Sequence, residues 1–447
     1  MNILMFTNTF TPHVGGVARS VQGFTREFRR RGHRVVVVAP EFEGMPAIET
    51  DVVRLPAIRH FSGGNFSVPV PLPGRVSRAL KELGPQVIHS HHPFLLGETA
   101  LRVAASRNLP VVFTHHTLYE RYTHYLPGES PRLQRFAAEL ATGYGNLCDA
   151  VIAPSRSVAE LLTERGVRVP MEVIPTGVDL EIFSPGEGSS LRRRLGIPPD
   201  GFVVGHVGRL AEEKNPLFLA RSVVKFLLEA PQAHFLLAGT GPAGEAMCRV
   251  FEAQGLEMRL HSLGTLGAGE LVEAYRAMDV FAFASLSETQ GMVLTEAMAV
   301  GVPVVAVDGP GVREVVRDSE NGRLLPSLDQ AGLAQALTWI AGLAPERRRL
   351  LREAALKTAA DFSLEGTARQ VLDLYRRLCS GRTRPKGAEA GGWEASLRFF
   401  GEEWKILRNL MHAAESALRV RENGKRPGRF RRSYFVVSKS HPIAQNF

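Results

Sequence analysis

Short apolar runs alternate with stretches in which apolar residues return every three or four positions, and this rhythm fills most of the 447 residues. Asn2–Phe6, Arg34–Val38, Gln86–His89, Pro110–Thr114 and Ala150–Ala153 are brief, β-rich and apolar, the pattern of strands buried on both faces. Between the first two, Val17, Val21, Phe24 and Phe28 mark one face of a helix that Gly32-His33 ends. The segment VIPTGVDLEIFSP, Val173–Pro185, interrupts the rhythm with Pro, Gly and Asp and reads as a linker. A second series follows, with Phe202–Val207, Phe235–Ala238, Val280–Ala284 and Pro303–Ala306 as its clearest strands. Strand, helix, strand in this order predicts an α/β fold of two doubly wound, Rossmann-like domains facing a central cleft, where such sheets bind ligands. The expected division is 1–175, 176–363, a closing helix within 364–380 that returns to the first domain, and an extension over 381–447.

Hydrophobic residues make up 44% and charged residues 22%, the balance of a globular protein, which excludes wholesale disorder. No apolar run reaches the ~18–20 residues of a membrane span, and MNILMFTNTF reads as a first strand rather than a signal peptide. Cys148, Cys248 and Cys379 are far apart and lack metal-ligand spacing, so a cytoplasmic protein without structural zinc is expected. The net charge of +9 is uneven: from Ser380 onward there are 14 Lys/Arg against 6 Glu, a surplus of 8 that leaves the main body near +1. A basic nucleic-acid-binding protein is therefore disfavoured, because the charge sits in the tail and no recognised motif accompanies it.

Three segments carry candidate chemistry. Gly15-Gly16, between the first strand and its helix, allows a phosphate to approach backbone N–H groups at a helix start, though an ordinary turn looks the same. It is not a G-x-G-x-x-G fingerprint. In GHVGRLAEEKN, Arg209 and Lys214 follow a buried-type strand and could neutralise a departing diphosphate; a solvated pair beside Glu212 and Glu213 is the plainer alternative. In SETQGMVLTEAMAVGVPVV, Glu288 lies in a loop and Glu296 on the second turn of a helix beginning around Gln290-Gly291. The first carboxylate can accept from sugar hydroxyls and the second from a ribose, with helix N–H groups between them for phosphate. A helix capped by Ser287 with Glu296 as a surface acid is the competing reading.

The early Gly-Gly, the G-R-x-x-x-x-K after the first strand of the second half, and E-x7-E leading into EAMAVGVPVVA together resemble the retaining GT-B glycosyltransferases of family 4, over roughly residues 1–380. The resemblance implies that Arg209 and Lys214 hold the donor diphosphate, Glu296 the ribose and Glu288 the donor sugar. It also implies that Gln290, Gly291 and Met292 lie along sugar and phosphates. SLGTLG, with Leu263 and Leu266, matches the family's base-contacting loop, and Gly15 and Gly16 belong to the donor side. VVFTHHTLYERYTHYLP is similar to the diacylglycerol glucosyltransferases of that family, with H-T-x-Y-E and Y-x-H-Y, as is SETQG. This implies a hexose, glucose from UDP-glucose, moved to a lipid such as 1,2-diacylglycerol; another lipid such as phosphatidylinositol, or a polysaccharide, is the alternative acceptor. His116 and Tyr119 would lie on the acceptor side, with His116 approaching both substrates, and Asn8 would face the acceptor where many relatives carry an acid. His89, His91, His92, His115 and His116 crowd this region. They read as a polar cleft lining, since the family uses no bound metal cluster, and neither a tightly bound cofactor nor a divalent metal is expected.

The tail lies outside the resemblance. After the linker SGRTRPKGAEAGG, the residues Trp393, Leu397, Phe400, Trp404, Leu407, Met411, Ala414 and Leu418 form one apolar stripe on a helix. The basic residues Arg421, Lys425, Arg426, Arg429, Arg431 and Arg432 follow. Stripe and cations suit a peripheral protein on an anionic inner membrane face; the stripe packing onto the protein itself is the other reading. Arg26, Arg29, Arg30 and Arg31 offer a second basic cluster.

Overall fold

The computed structural model describes residues 1–58, 68–69, 73–123, 130–381 and 392–419. The first domain holds strands β1 (Asn2–Phe6), β2 (Arg34–Pro40), β3 (Val52–Leu55), a two-stranded hairpin of β4 (Ala57–Ile58) and β5 (Val68–Pro69), β6 (Val87–Ser90), β7 (Val111–Thr114), β8 (Ala150–Ala153) and β9 (Met171–Val173). The second holds β10 (Phe202–Val207), β11 (Ala233–Ala238), β12 (Leu260–Gly264), β13 (Val280–Phe283), β14 (Val304–Val307) and β15 (Gly322–Leu325). The main sheets are all parallel, with orders β3-β2-β1-β6-β7-β8-β9 and β12-β11-β10-β13-β14-β15. Strand order reverses beside β1 in one sheet and beside β10 in the other, and ligands bind at such switch points.

The central strands are buried on both faces, as their uninterrupted apolar runs predict. Four strands escape that reading. β3, β9, β12 and β15 lie at or beside sheet edges, are largely half-exposed, and so lack a continuous apolar run. SLGTLG is accordingly strand through Gly264, and only its second half is loop.

The chain crosses between domains twice at one place. Val178 donates to the Phe362 carbonyl and accepts from the Leu364 amide, both at 2.8 Å. The helix Leu364–Ser380 then packs on the first domain, where Leu364, Val371 and Tyr375 complete the cluster formed by Ile3, Met5, Val21 and Phe28. A last helix, Gly392–Leu418, lies against the helices Leu96–Arg107 and Pro131–Leu147 of the first domain. Residues 420–447, with Arg421, Lys425, Arg426, Arg429, Arg431 and Arg432, lie outside the described residues, as do His124, Tyr125 and the Trp393 side chain.

Candidate active site

Two helices begin at the cleft and meet there. The helix Gly16–Arg30 follows β1, and Met292–Ala299 follows β13. A Cβ added to Gly16 would sit 3.8 Å from the Met292 sulfur, and one turn further along both helices Arg19 pairs with Glu296. The two amino-terminal ends therefore lie side by side, and both present unpaired N–H groups and positive dipole ends to one space. Gly291, at φ +76, is the N-cap of the second helix, and a side chain there would crowd Leu294 at 2.9 Å. Ser287 does not cap this helix; its hydroxyl donates to the Glu213 carbonyl at 3.2 Å. Glu296 is no surface acid either. It is 2% exposed, and the Tyr275 hydroxyl donates to it at 2.9 Å.

Lys214 and Glu288 form the electrostatic centre. Their charged atoms lie 2.5 Å apart, with each side chain 17% exposed. Burial alone would push the Glu288 carboxyl up, but the Lys214 ammonium beside it holds it below its ordinary 4.5. Burial likewise opposes charge on Lys214, and the Glu288 carboxylate reverses that effect and raises it. The pair is thus ionised at neutral pH. Tyr122, from the opposite domain, is close enough for its phenol to feel both charges, although burial is the main reason its pKa is raised. Arg209 is exposed and lies near His13, whose pKa is lowered by burial first and by that guanidinium second.

On the first domain a row of histidines runs from the core to the cleft. The Tyr375 hydroxyl bonds His89 Nδ1 at 2.5 Å, and His89 Nε2 bonds Thr114 Oγ1 at 2.7 Å. The His89 and His91 rings lie 4.1 Å apart, and His91 Nδ1 meets His116 Nε2 at 2.9 Å. Burial drives His89 to about 3 and holds His91 and His116 well below 6.5, so the row is uncharged. Among the described residues no group of three or more His, Cys, Asp or Glu is arranged to hold a metal. The His116 carbonyl accepts from Thr289 at 2.8 Å, which joins the two domains across the cleft. Tyr119 packs edge-on to Phe94 and His115.

Three expectations are corrected. Asn8 does not face the acceptor: it is fully buried, and its amide donates to the Phe94 carbonyl and accepts from the Leu96 amide. The Gln290 side chain turns from the sugar site to the linker, where it accepts from the Thr176 amide and donates to the Thr176 carbonyl at 2.6 Å. The arginines at 26–31 are tied up internally. Arg26 pairs with Asp179, Arg29 donates to the Val35 carbonyl, and Arg30 and Arg31 pair with Glu27. Leu263 and Leu266 pack half-buried on the second-domain core.

Other contributors come from distant segments. Tyr275 is set by the packing of two second-domain helices, and Arg19, Tyr122 and Thr289 by domain juxtaposition. So is Glu314, whose carboxylate accepts from the Arg156 and Ser157 amides at 2.6 and 2.8 Å and caps a first-domain helix. Gly239 and Gly241 had a legible signal, G-T-G-P after an apolar run. A Cβ on either would strike the backbone of the 208–210 loop that leads to Arg209.

Residues 14–182 match the family described as Glycosyltransferase Family 4, and residues 189–358 match Glycosyl transferases group 1. An alpha-monoglucosyldiacylglycerol synthase from Streptococcus pneumoniae is 30% identical over 339 residues, 72% of this chain and 75% of that one. This chain belongs to glycosyltransferase family 4. A D-inositol 3-phosphate glycosyltransferase from Acidothermus cellulolyticus is 34% identical over 318 residues, 67% of this family 4 chain and 69% of the relative. The Anabaena HepE structure in complex with UDP-glucose superposes with a TM-score of 0.65 at 21% identity, covering 84% of this enzyme and 99% of that chain, and shares its GT-B fold. The protein is thus a glycosyltransferase with two Rossmann-like domains.

Proposed function

We propose that this glycosyltransferase moves glucose from UDP-glucose to the hydroxyl of 1,2-diacylglycerol at the inner membrane face, with retention of configuration. The observation that carries the donor side is the meeting of two helix amino-termini beside Lys214 and Arg209, a space built for a diphosphate. In this reading the diphosphate lies over Gly15, Gly16 and the backbone of Gln290, Gly291 and Met292. Glu296 takes the ribose hydroxyls, exchanging Arg19 for them. Glu288 accepts from the glucose hydroxyls while Lys214 and Arg209 neutralise the departing charge, so the scheme calls for no divalent metal. Leu263 and Leu266 flank the base.

Glu288 is paired with Lys214 and contacts sugar hydroxyls in this reading, and no carboxylate is assigned as a covalent nucleophile. The acceptor hydroxyl attacks C1 from the face that the diphosphate leaves. The C1–O bond to phosphate breaks, the new C1–O bond forms, and the acceptor proton passes to the departing phosphate oxygen. Uncharged His116, with Tyr119 behind it, orients sugar and acceptor.

The donor is supported by the UDP-glucose complex of HepE, and the acceptor by the glucosyldiacylglycerol synthase relative together with H-T-x-Y-E and Y-x-H-Y. The inositol-phosphate relative favours a second reading, a soluble phosphorylated acceptor. A panel of nucleotide-sugars with diacylglycerol, phosphatidylinositol and inositol phosphate, read by mass spectrometry, tests both. An α-glucosyldiacylglycerol from UDP-glucose is expected. Product only with a water-soluble acceptor overturns the lipid reading.

A further inference from the structure

The helix Gly392–Leu418 is seated on the first domain by one face. Ala413, Glu402 and Ala417 are buried, Ile406 joins the sheet-side cluster, and Asn409 donates to the Leu140 carbonyl at 3.2 Å. Arg102 of the first domain pairs with Glu403. The opposite face carries Leu397, Phe400, Trp404, Leu407, Met411 and Leu418, and every one is exposed, Phe400 by 69% and Trp404 by 63%. The apolar stripe thus points outward, while the more polar face does the packing. Contiguous exposed apolar surface of this kind marks an interaction site.

Charge and direction choose the occupant. Three of this helix's four acids are engaged: Glu402 with Lys405, Glu403 with Arg102 and Glu415 with Arg419. Residues 420–447 then add seven Lys/Arg (Arg421, Lys425, Arg426, Arg429, Arg431, Arg432 and Lys439) against Glu422, a surplus of 6. The stripe also has an orientation. Arg398 reaches the Ala105 carbonyl, near the carboxyl end of the helix after β6, whereas Ser416 meets Arg135 near the amino end of Pro131–Leu147. That amino end follows the segment bearing His116, Tyr119 and Tyr122, so the helix ends on the cleft side. A second copy docked through the same helix would set the same cationic surplus against this one. An anionic bilayer answers both the aromatic stripe and the charge.

We infer that the outward face of this helix is a membrane-docking surface. Phe400, Trp404 and Leu407 enter the headgroup boundary, the acceptor side of the cleft is turned toward the bilayer, and the net positive charge of the sequence after the helix adds attraction to anionic lipid. The role in catalysis rests on the lipid-acceptor reading; the binding does not.

The test uses the full chain and a variant with Phe400→Ser, Trp404→Ser and Leu407→Ser, all at exposed positions. Sedimentation with vesicles of equal parts phosphatidylcholine and phosphatidylglycerol should fall about tenfold or more, while UDP binding stays unchanged. Transfer to vesicle-embedded diacylglycerol should fall in parallel, and transfer to a short-chain diacylglycerol in detergent micelles should not. Vesicle binding equal to that of the unaltered protein overturns the proposal. So does a dimer, seen by sedimentation velocity, that the variant abolishes without changing vesicle binding. If diacylglycerol is accepted in neither form while vesicle binding still falls, the acceptor reading fails and the docking surface stands.

Discussion

Replacing Lys214 with Ala should separate catalysis from stability in a way the structure makes quantitative. The ammonium lies 2.5 Å from the Glu288 carboxylate, and both side chains are 17% exposed, so solvent screens the pair poorly. Removing one partner of a buried pair strands the other charge, at a cost of about 3–5 kcal/mol in the fully buried limit; with this exposure about 2–4 kcal/mol is expected. For a domain of this size that lowers Tm by roughly 4–16 °C. Loss of a cation aimed at the leaving diphosphate should lower kcat by about 10²–10³-fold. The two effects part in the double variant Lys214→Ala/Glu288→Gln, where no charge is stranded: Tm recovers and kcat does not. The Tm difference also has a pH signature. Glu288 has a depressed folded-state pKa, so its stabilisation is present above 4.5 and lost as pH falls through the folded value. Lys214 is raised, so its stabilisation is present below 10.5 and lost only as pH rises beyond that. The gap should hold across neutral pH and close in acid. Initial rates of UDP release with melting curves from pH 4 to 9 measure all of this. Unaltered kcat in Lys214→Ala, or full recovery of kcat in the double variant, refutes the phosphate role.

Glu296→Ala should weaken UDP binding by about 1–3 kcal/mol, a 5- to 150-fold rise in Kd by titration calorimetry, since ribose hydroxyls lose their acceptor; an unchanged Kd would place the ribose elsewhere. Acid should destabilise the protein early. Burial lowers His89 and His92 to about 3 and His115 and His206 to about 4, so below pH 6.5 the unfolded chain binds more protons than the native one. Each such ring removes about 1.4 kcal/mol per pH unit over that window, and a Tm that stays level from pH 7 to 5 would contradict their burial as neutral groups. Gly291→Ala forces a side chain into φ +76 against Leu294, at about 1–2 kcal/mol and with a displaced helix start; wild-type melting and turnover together would show that the turn tolerates it.

What the sequence disclosed follows from how local each signal is. Lys214 and Glu288 were legible because each follows a buried strand by a few residues, and Glu296 because it sits early on the helix that follows one, so topology carries all three to the cleft. Arg19 and Tyr275 were not: Glu296 acquires Arg19 from the other domain, 277 residues away, and Tyr275 from a neighbouring helix of its own domain, 21 residues before it, and periodicity reports neither meeting. Asn8 misled for the same reason. A polar residue after a first strand points at a cleft unless another loop returns over it, and the Phe94–Leu96 turn does. The tail helix shows the limit of periodicity, which finds an apolar face but not the direction it looks.

The twin crossing at Val178 and Leu364 bears on how the protein is made. The first domain owns two separated pieces of sequence, and the second is inserted between them. While the ribosome works through the ~200 residues that separate β9 from the end of the Leu364–Ser380 helix, about 10–40 s at ordinary synthesis rates, the sheet face destined for Tyr375, Leu372 and Val371 has no cover. The inserted domain meets no such delay, since its six strands emerge as one block. The nascent chain should therefore complete its second half before its first, and any chaperone that attends it will find its apolar target on the older sheet.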